Sequence, residues 1–160
     1  MSNTIIDFSY TKKSVEQLNR LEVNNITEAY STPISLIMDF HIDLASLALT
    51  LKLNKDLGLN KVIINDLIMI LNRMRDIAIF LDIELIVEVQ EIQVTDPELI
   101  LNSMFNHVSM LNYKKATSRA KMIYRIVPLF AELVYSLRFT LEDLERAYYK
   151  KMNTNILEVE

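Results

Sequence analysis

From Pro33 to about Lys55 the chain is apolar at most positions, and Ser35, Asp39, Asp43, Ser46 and Thr50 recur at spacings of three and four. At about 100° per residue these five fall in one narrow sector of a helix, while Ile34, Leu36, Ile37, Phe40, Leu44, Leu47, Ala48 and Leu51 fill most of the rest. The pattern predicts a helix that sits centrally in a bundle, with a single polar seam meeting either solvent or a cleft. A second periodic run begins near Asn60, continues through "VIINDLIMILNRMRDIAIFL" and predicts a helix to about Leu85. Beyond Asp82, "IELIVEVQEIQV" is β-branched and partly alternating, so an extended strand competes with helix there.

Helix punctuation divides the remainder. Ser14 with Gln17 has the form of a capping box and opens "VEQLNRLEVNNITEAY" as a first helix. Thr32 before Pro33, and Thr95 and Asp96 before Pro97, place a capping side chain ahead of a proline at the first helical position, where the missing N–H is harmless. Thr117 or Ser118 caps "RAKMIYRIVPLFAELVYSL", within which Pro128 removes a backbone donor and should kink the helix. Thr140 with Asp143 caps a short last helix, "LEDLERAYYKKM". A single glycine, Gly58, and three prolines leave little material for the turns of a β fold. The expectation is an all-α protein, one bundle of five or six helices in a single domain spanning 1–160, with 1–32 as an N-terminal arm and first helix.

Composition narrows the function classes. The chain is 51% hydrophobic and 24% charged, which is the balance of a folded domain rather than a disordered one. Without cysteine there is no disulfide framework and no thiolate metal site, and neither a secretory leader nor an uninterrupted membrane span is apparent, so a soluble cytoplasmic protein is expected. A net charge of -4, with no basic cluster beyond "NYKKATSRAK", gives no footprint for duplex nucleic acid.

The seam holds the candidate chemistry. Asp39 and Asp43 lie one turn apart on one face and repel unless a cation, hydrogen-bond donors or water screen them. On the next helix Asn65, Asn72 and Asp76 lie close together on the wheel, with Arg73 beside them. Two helices packed seam to seam would gather Asp39, Asp43 and Asp76 as oxygen ligands for Mg²⁺. Arg73 opposes that assignment, since it can pair with either aspartate as a structural substitute for the cation. A solvated polar stripe is the commoner reading of such a seam. His41 lies away from it and His107 stands alone in the fourth helix, so neither is assigned as a ligand or base.

The C-terminal third carries a resemblance. "LFAELVYSLRFTLEDLERAYYKKMNTN", Leu129 to Asn155, is similar to the closing segment of the all-α dUTPase and MazG-like nucleoside triphosphate pyrophosphohydrolases, in whose dimeric dUTPase branch a helix of the type "GFTLEDLEEAYLKKNEVN" ends the domain. Ala147, Tyr148, Lys151 and Asn155 match the A-Y-x-x-K-x-x-x-N pattern, the "FTLEDLE" lead-in matches as well, and a weaker likeness reaches back to the helix at Pro33. The resemblance implies a core from 33 to 158, nucleotide binding through Tyr148, Lys151 and Asn155, and a homodimer.

The same alignment exposes departures. The family's E-x-x-E metal motif falls on "HIDLASLA", with Asp43 in the first acidic position and Ser46 in the second. Its E-x-x-D motif falls on "RMRDIAIF", where Arg73 replaces the glutamate and Asp76 keeps the aspartate. The arginine that follows the family's terminal asparagine falls on Glu158, and Arg138 stands where the branch usually has glycine. Pyrophosphohydrolysis needs Mg²⁺ to neutralise phosphates and activate water, so a fixed positive charge at a ligand position is the more damaging change. The expectation is therefore a degenerate, weak or inactive pyrophosphohydrolase homologue that binds nucleotide, with Arg73 able to hold phosphate, or that acts as a regulator with a protein partner. Two alternatives stay open. One is an active enzyme converting dUTP or another dNTP to the monophosphate and pyrophosphate, with Asp43 and Asp76 catalytic and Asp39, Asp43 and Asp76 holding Mg²⁺. The other is an interaction scaffold that binds no nucleotide.

Overall fold

The computed structural model describes residues 3–18, 33–53, 60–111 and 116–159, the side chains of 15–18, 33, 116–120, 122 and 154–159 excepted. Its element order is β1 (Thr4–Asp7), α1 (Ser9–Leu18), α2 (Pro33–Leu53), α3 (Asn60–Leu81), β2 (Ile86–Val89), α4 (Pro97–Met110), α5 (Ala116–Ser136) and α6 (Leu141–Val159). Six helices among the described residues make this a mostly all-α fold, as the apolar periodicity predicts. Strand β1 is an addition to that prediction, and β2 falls in the stretch where extended strand competes with helix.

The strands pair antiparallel with Thr4 opposite Val89, Ile5 opposite Glu88, Ile6 opposite Val87 and Asp7 opposite Ile86, and Phe8 N donates to Leu85 O at 2.8 Å just beyond the ladder. Ile6 is buried and Val87 and Val89 half-buried, while Ile5, Asp7, Ile86 and Glu88 are exposed, so the period of two sorts side chains between core and solvent. The β-branched stretch after Asp82 is thus strand and extended chain. Correspondingly, α3 ends at Leu81, four residues short of the expected Leu85. The stop is a left-handed residue: Asp82 has φ 53°, and Ile83 N donates to Ala78 O at 2.9 Å across the helix end.

The first helix also differs from expectation. It begins at Ser9, where the Asp7 carboxylate accepts from Ser9 N at 2.8 Å, and Ser14 is an interior residue whose hydroxyl donates to Tyr10 O at 2.7 Å. Ser14 thus bonds back into the helix instead of capping it. Most of "VEQLNRLEVNNITEAY", the cap expected at Thr32 and the turn at Gly58 lie outside the described residues. The caps expected at Asp96 and Thr140 are present. Asp96 accepts from Glu98 N at 2.9 Å ahead of α4, and Thr140 and Asp143 exchange bonds of 2.9 and 3.0 Å at the start of α6, which runs on to Val159 rather than ending early. The fifth helix begins at Ala116, so Thr117 and Ser118 fall inside its first turn, and Pro128 lies within it.

The core is one cluster drawn from every described helix but α1, with Ile6 and Phe8 added from the N-terminal segment. Packing is densest between α2 and α3 and between α4 and α5, and α2 also meets α4. The prediction of a central α2 is overturned on one side: Leu36, Ile37, Phe40, Leu44 and Leu47 are buried, whereas Ile34, Met38, Ile42, Leu49 and Leu53 face outward. By length and composition Ile34–Leu53 is also apolar enough to cross a membrane, contrary to the expectation that its charges break every such run.

Candidate functional site

The polar seam of α2 is fully buried only at Asp43, with Asp39 and Thr50 half-buried and Ser35 and Ser46 at its exposed margin. It faces α3. At its C-terminal half the hydroxyls of Ser46 and Thr50 donate to the two oxygens of Asp66, at 3.2 and 2.7 Å. At its N-terminal half Asp39 and Asp43 face Arg73, which sits two turns beyond Asp66 on the same side of α3.

Arg73 is the hub of this joint. Its Nε donates to Asp43 Oδ2 at 2.9 Å, and its Nη1 lies 3.8 Å from Asp39 Oδ2 and 3.6 Å from Asp76 Oδ2. The other oxygen of Asp76 takes Arg75, with Nε at 3.1 Å and Nη2 at 3.0 Å. From Arg75 the network continues: Nη1 is 3.4 Å from the Tyr148 hydroxyl, which in turn donates to Thr11 O at 3.3 Å. One connected chain of polar contacts therefore links α2, α3, α6 and α1.

Burial sets the electrostatics. Asp43 and Asp76 are buried, Arg73 and Arg75 nearly so, and only Asp39 is substantially open, its side chain 41% exposed. Desolvation pushes the Asp43 carboxyl above its ordinary range, and the Arg73 bond and charge oppose that push. Asp76 is likewise raised by burial and held back by Arg75, then Arg73. Two guanidinium groups face three carboxylates, and each of the two buried carboxylates has a guanidinium nitrogen at hydrogen-bond distance, which is what a buried charge in a helix joint requires.

The three aspartates expected as ligands are thus brought together, but around a guanidinium. A divalent cation at their centre needs oxygen atoms at about 2.0–2.6 Å. Arg73 occupies that centre, and the donor set as arranged does not fit Mg²⁺ while it stays there. Among the described residues no group of three or more histidine, aspartate or glutamate side chains is disposed to hold a metal ion.

Tyr148, Lys151 and Asn155, expected to bind nucleotide, all lie on α6. Tyr148 is 1% exposed and packs in the core, edge-on to Tyr10 at 5.5 Å and bonded to Thr11 and Arg75, so it faces protein rather than ligand. Lys151 is half-buried on α6, and the side chain of Asn155, like that of Glu158, lies outside the described residues. His41 stacks on Phe105 at 6.0 Å with its Nε2 3.2 Å from Ser109 Oγ, and His107 Nδ1 donates to Ser103 O at 2.7 Å.

Three participants were missed from the sequence. Asp66 precedes Arg73 by seven residues, a spacing that puts both on one face and was the available signal. Arg75 stands next to Asp76 in sequence and bonds it directly, whereas Thr11 had no signal, because it joins through α6 and α1, whose approach periodicity does not encode. Asn65, expected beside Asp76, is exposed, and the Asn72 carbonyl oxygen is buried without a protein partner. No protein-family model, curated protein or solved structure matches this chain.

Proposed function

We propose that this chain is a dUTPase- or MazG-like helical protein in which pyrophosphohydrolysis is weak or lost, and which acts as a regulatory binding protein. The observation that carries the reading is the position of Arg73, whose guanidinium stands among Asp39, Asp43 and Asp76 where the resemblance calls for a divalent cation. A fixed cation of this kind neutralises the carboxylates and ties α2 to α3 without activating water. The burial of Tyr148 supports regulation through protein contacts over regulation through a nucleotide on that residue.

A second reading rests on a different feature of the same cluster. Asp39, Asp43 and Asp76 each come within 3.8 Å of a nitrogen of the Arg73 guanidinium, and withdrawal of Arg73 on substrate binding would leave three carboxylates for Mg²⁺ and a guanidinium for phosphate. Pyrophosphate release from a dNTP panel led by dUTP, with Mg²⁺ or Mn²⁺ and an Asp76→Ala control, separates the two. The proposal expects at most weak turnover, and none that Asp76→Ala abolishes. Robust turnover abolished by Asp76→Ala would establish the second reading instead. Thermal melts with dUTP then address binding alone: the proposal expects no shift, and a metal-independent rise would return the nucleotide to the regulatory role.

A further inference from the structure

Strand β2 is paired on one side alone. Phe8 N donates to Leu85 O in the register that sets Ile6 opposite Val87 and Thr4 opposite Val89, so Val87 and Val89 turn their N–H and C=O groups toward β1. Those of Ile86 and Glu88 point the other way, and among the described residues no hydrogen bond reaches them. The sheet has the order β1–β2, so no further strand lies beside this outer edge. Ile86 is 44% exposed and Glu88 is exposed as well, which leaves the edge open. Unpaired backbone of this kind is a template for another strand. The inner face also stops short here: Ile6 is fully buried, whereas Val87 and Val89 are only half-buried, and a strand added beside them would cover them.

Charge identifies what fits the edge. Between Arg75 and Lys114 the sequence has no lysine or arginine, and along the edge it places Glu84, Glu88 and Glu91, all exposed. Lys12 lies 3.5 Å from Glu84. Glu88 accepts only from the neutral amide of Asn3, at 2.9 Å, so its charge stands, and among the described residues neither Glu88 nor Glu91 forms an ion pair. Edge strands are commonly guarded by lysine or proline, and β2 carries neither. A second copy would bring the same acidic edge, and like charges facing across a ladder are destabilising. Past Val89 the edge runs into a hollow of about 800 Å³ lined by Asn3, Val89, Gln90, Glu91 and Gln93, with room for a long cationic side chain beside Glu91.

We propose that the outer edge of β2 takes up an extended basic segment of a partner protein as a third strand. Alternate side chains of that segment are apolar, over Val87 and Val89, and the others are lysine or arginine, toward Glu84 and Glu88. The inference rests on the regulatory reading above, to which it gives a class of partner. None of the edge residues belongs to the Arg73 cluster, so strand addition and loss of catalysis fail separately.

A short capped peptide alternating valine and lysine, labelled with fluorescein, tests it by fluorescence anisotropy against the full chain at low salt. The control is the same peptide with glutamate in place of lysine. Saturable binding of the lysine peptide alone is expected, weakened by salt and weakened about tenfold by Glu88→Lys, whose thermal melt matches the parent because the side chain is exposed. Methylation of backbone nitrogens then identifies strand addition. In antiparallel pairing the lysine residues stand opposite Ile86 and Glu88 with their amides toward β2, so N-methylation of the lysine residues abolishes binding and N-methylation of the valine residues does not. A parallel strand reverses the two. The same effect from both sets overturns the proposal. So does binding of the glutamate peptide, binding that Glu88→Lys leaves unchanged, or no binding at about 1 mM peptide. A chain that self-associates and excludes the peptide until diluted has a second copy on this edge, which overturns it too. Peptide binding by a chain that proves to turn over dUTP upholds the edge and removes only the regulatory reading.

Discussion

Arg73 decides the character of the joint between α2 and α3. Removing it leaves Asp43 and Asp76 buried with one guanidinium fewer, and breaking a buried pair from one side lowers stability by about 3–5 kcal/mol. Arg73→Met should therefore lower the free energy of urea unfolding by about that amount at neutral pH, while Asp39→Asn, at an exposed partner, changes it by less than about 1 kcal/mol. The pH dependence follows from the direction of the shifts. Asp43 and Asp76 titrate above their ordinary 3.8 in the folded protein, so the stability they contribute is present below 3.8 and lost as pH rises through their folded values. At neutral pH they are a burden that Arg73 limits. The Arg73→Met deficit should shrink when unfolding is repeated at about pH 4.5, and an unchanged deficit would show that those carboxylates do not titrate as raised groups. Of this cluster, Asp39, Asp43, Asp76 and Arg73 were legible in the sequence because helical spacing alone puts them on facing seams. The seat of Tyr148 was not, because its burial depends on how α6 and α1 close over Arg75, which no local pattern records.

Helix ends show the same division between local and tertiary causes. Caps at Asp96 and Thr140 were readable since a side chain, its own backbone and a following proline or acid are contiguous in sequence. The start of α1 was not, because Asp7 serves at once as the cap of a helix and the last residue of a strand whose partner is Ile86, far along the chain. At the end of α5, Arg138 holds φ 67° where glycine would be unstrained, and Phe139 N still closes the helix on Val134 O at 3.1 Å. A side chain in this region raises the energy by about 1 kcal/mol, partly offset by the larger freedom of glycine in the unfolded chain. Arg138→Gly is accordingly expected to stabilise the protein by about 0.5 kcal/mol, read as a higher urea midpoint at constant slope. A lower midpoint would mean that the Arg138 side chain contributes more than its backbone loses.

At the scale of the molecule, the N-terminal segment is part of the core and not an arm lying on it. Ile6 and Phe8 are buried, Phe8 stands edge-on to Phe130 of α5 at 5.6 Å, and the β1–β2 ladder fastens the segment to residues 86–89. The all-α prediction overlooked this because four residues, "TIID", are too few to display a period of two. Sheet pairing here is also a long-range event, created by the helices that bring both segments to α5. Two substitutions three residues apart separate an arm from a core element. Phe8→Ala removes a fully buried ring and should reduce unfolding free energy by about 3–5 kcal/mol. Ile5→Ala, on the exposed face of the same strand pair, should change it by no more than about 0.5 kcal/mol. Comparable small effects at both positions would show that residues 4–8 fold onto a bundle already complete without them. A large loss at Phe8 alone places residues 4–8 within the cooperative unit that also holds Arg73 between its three aspartates.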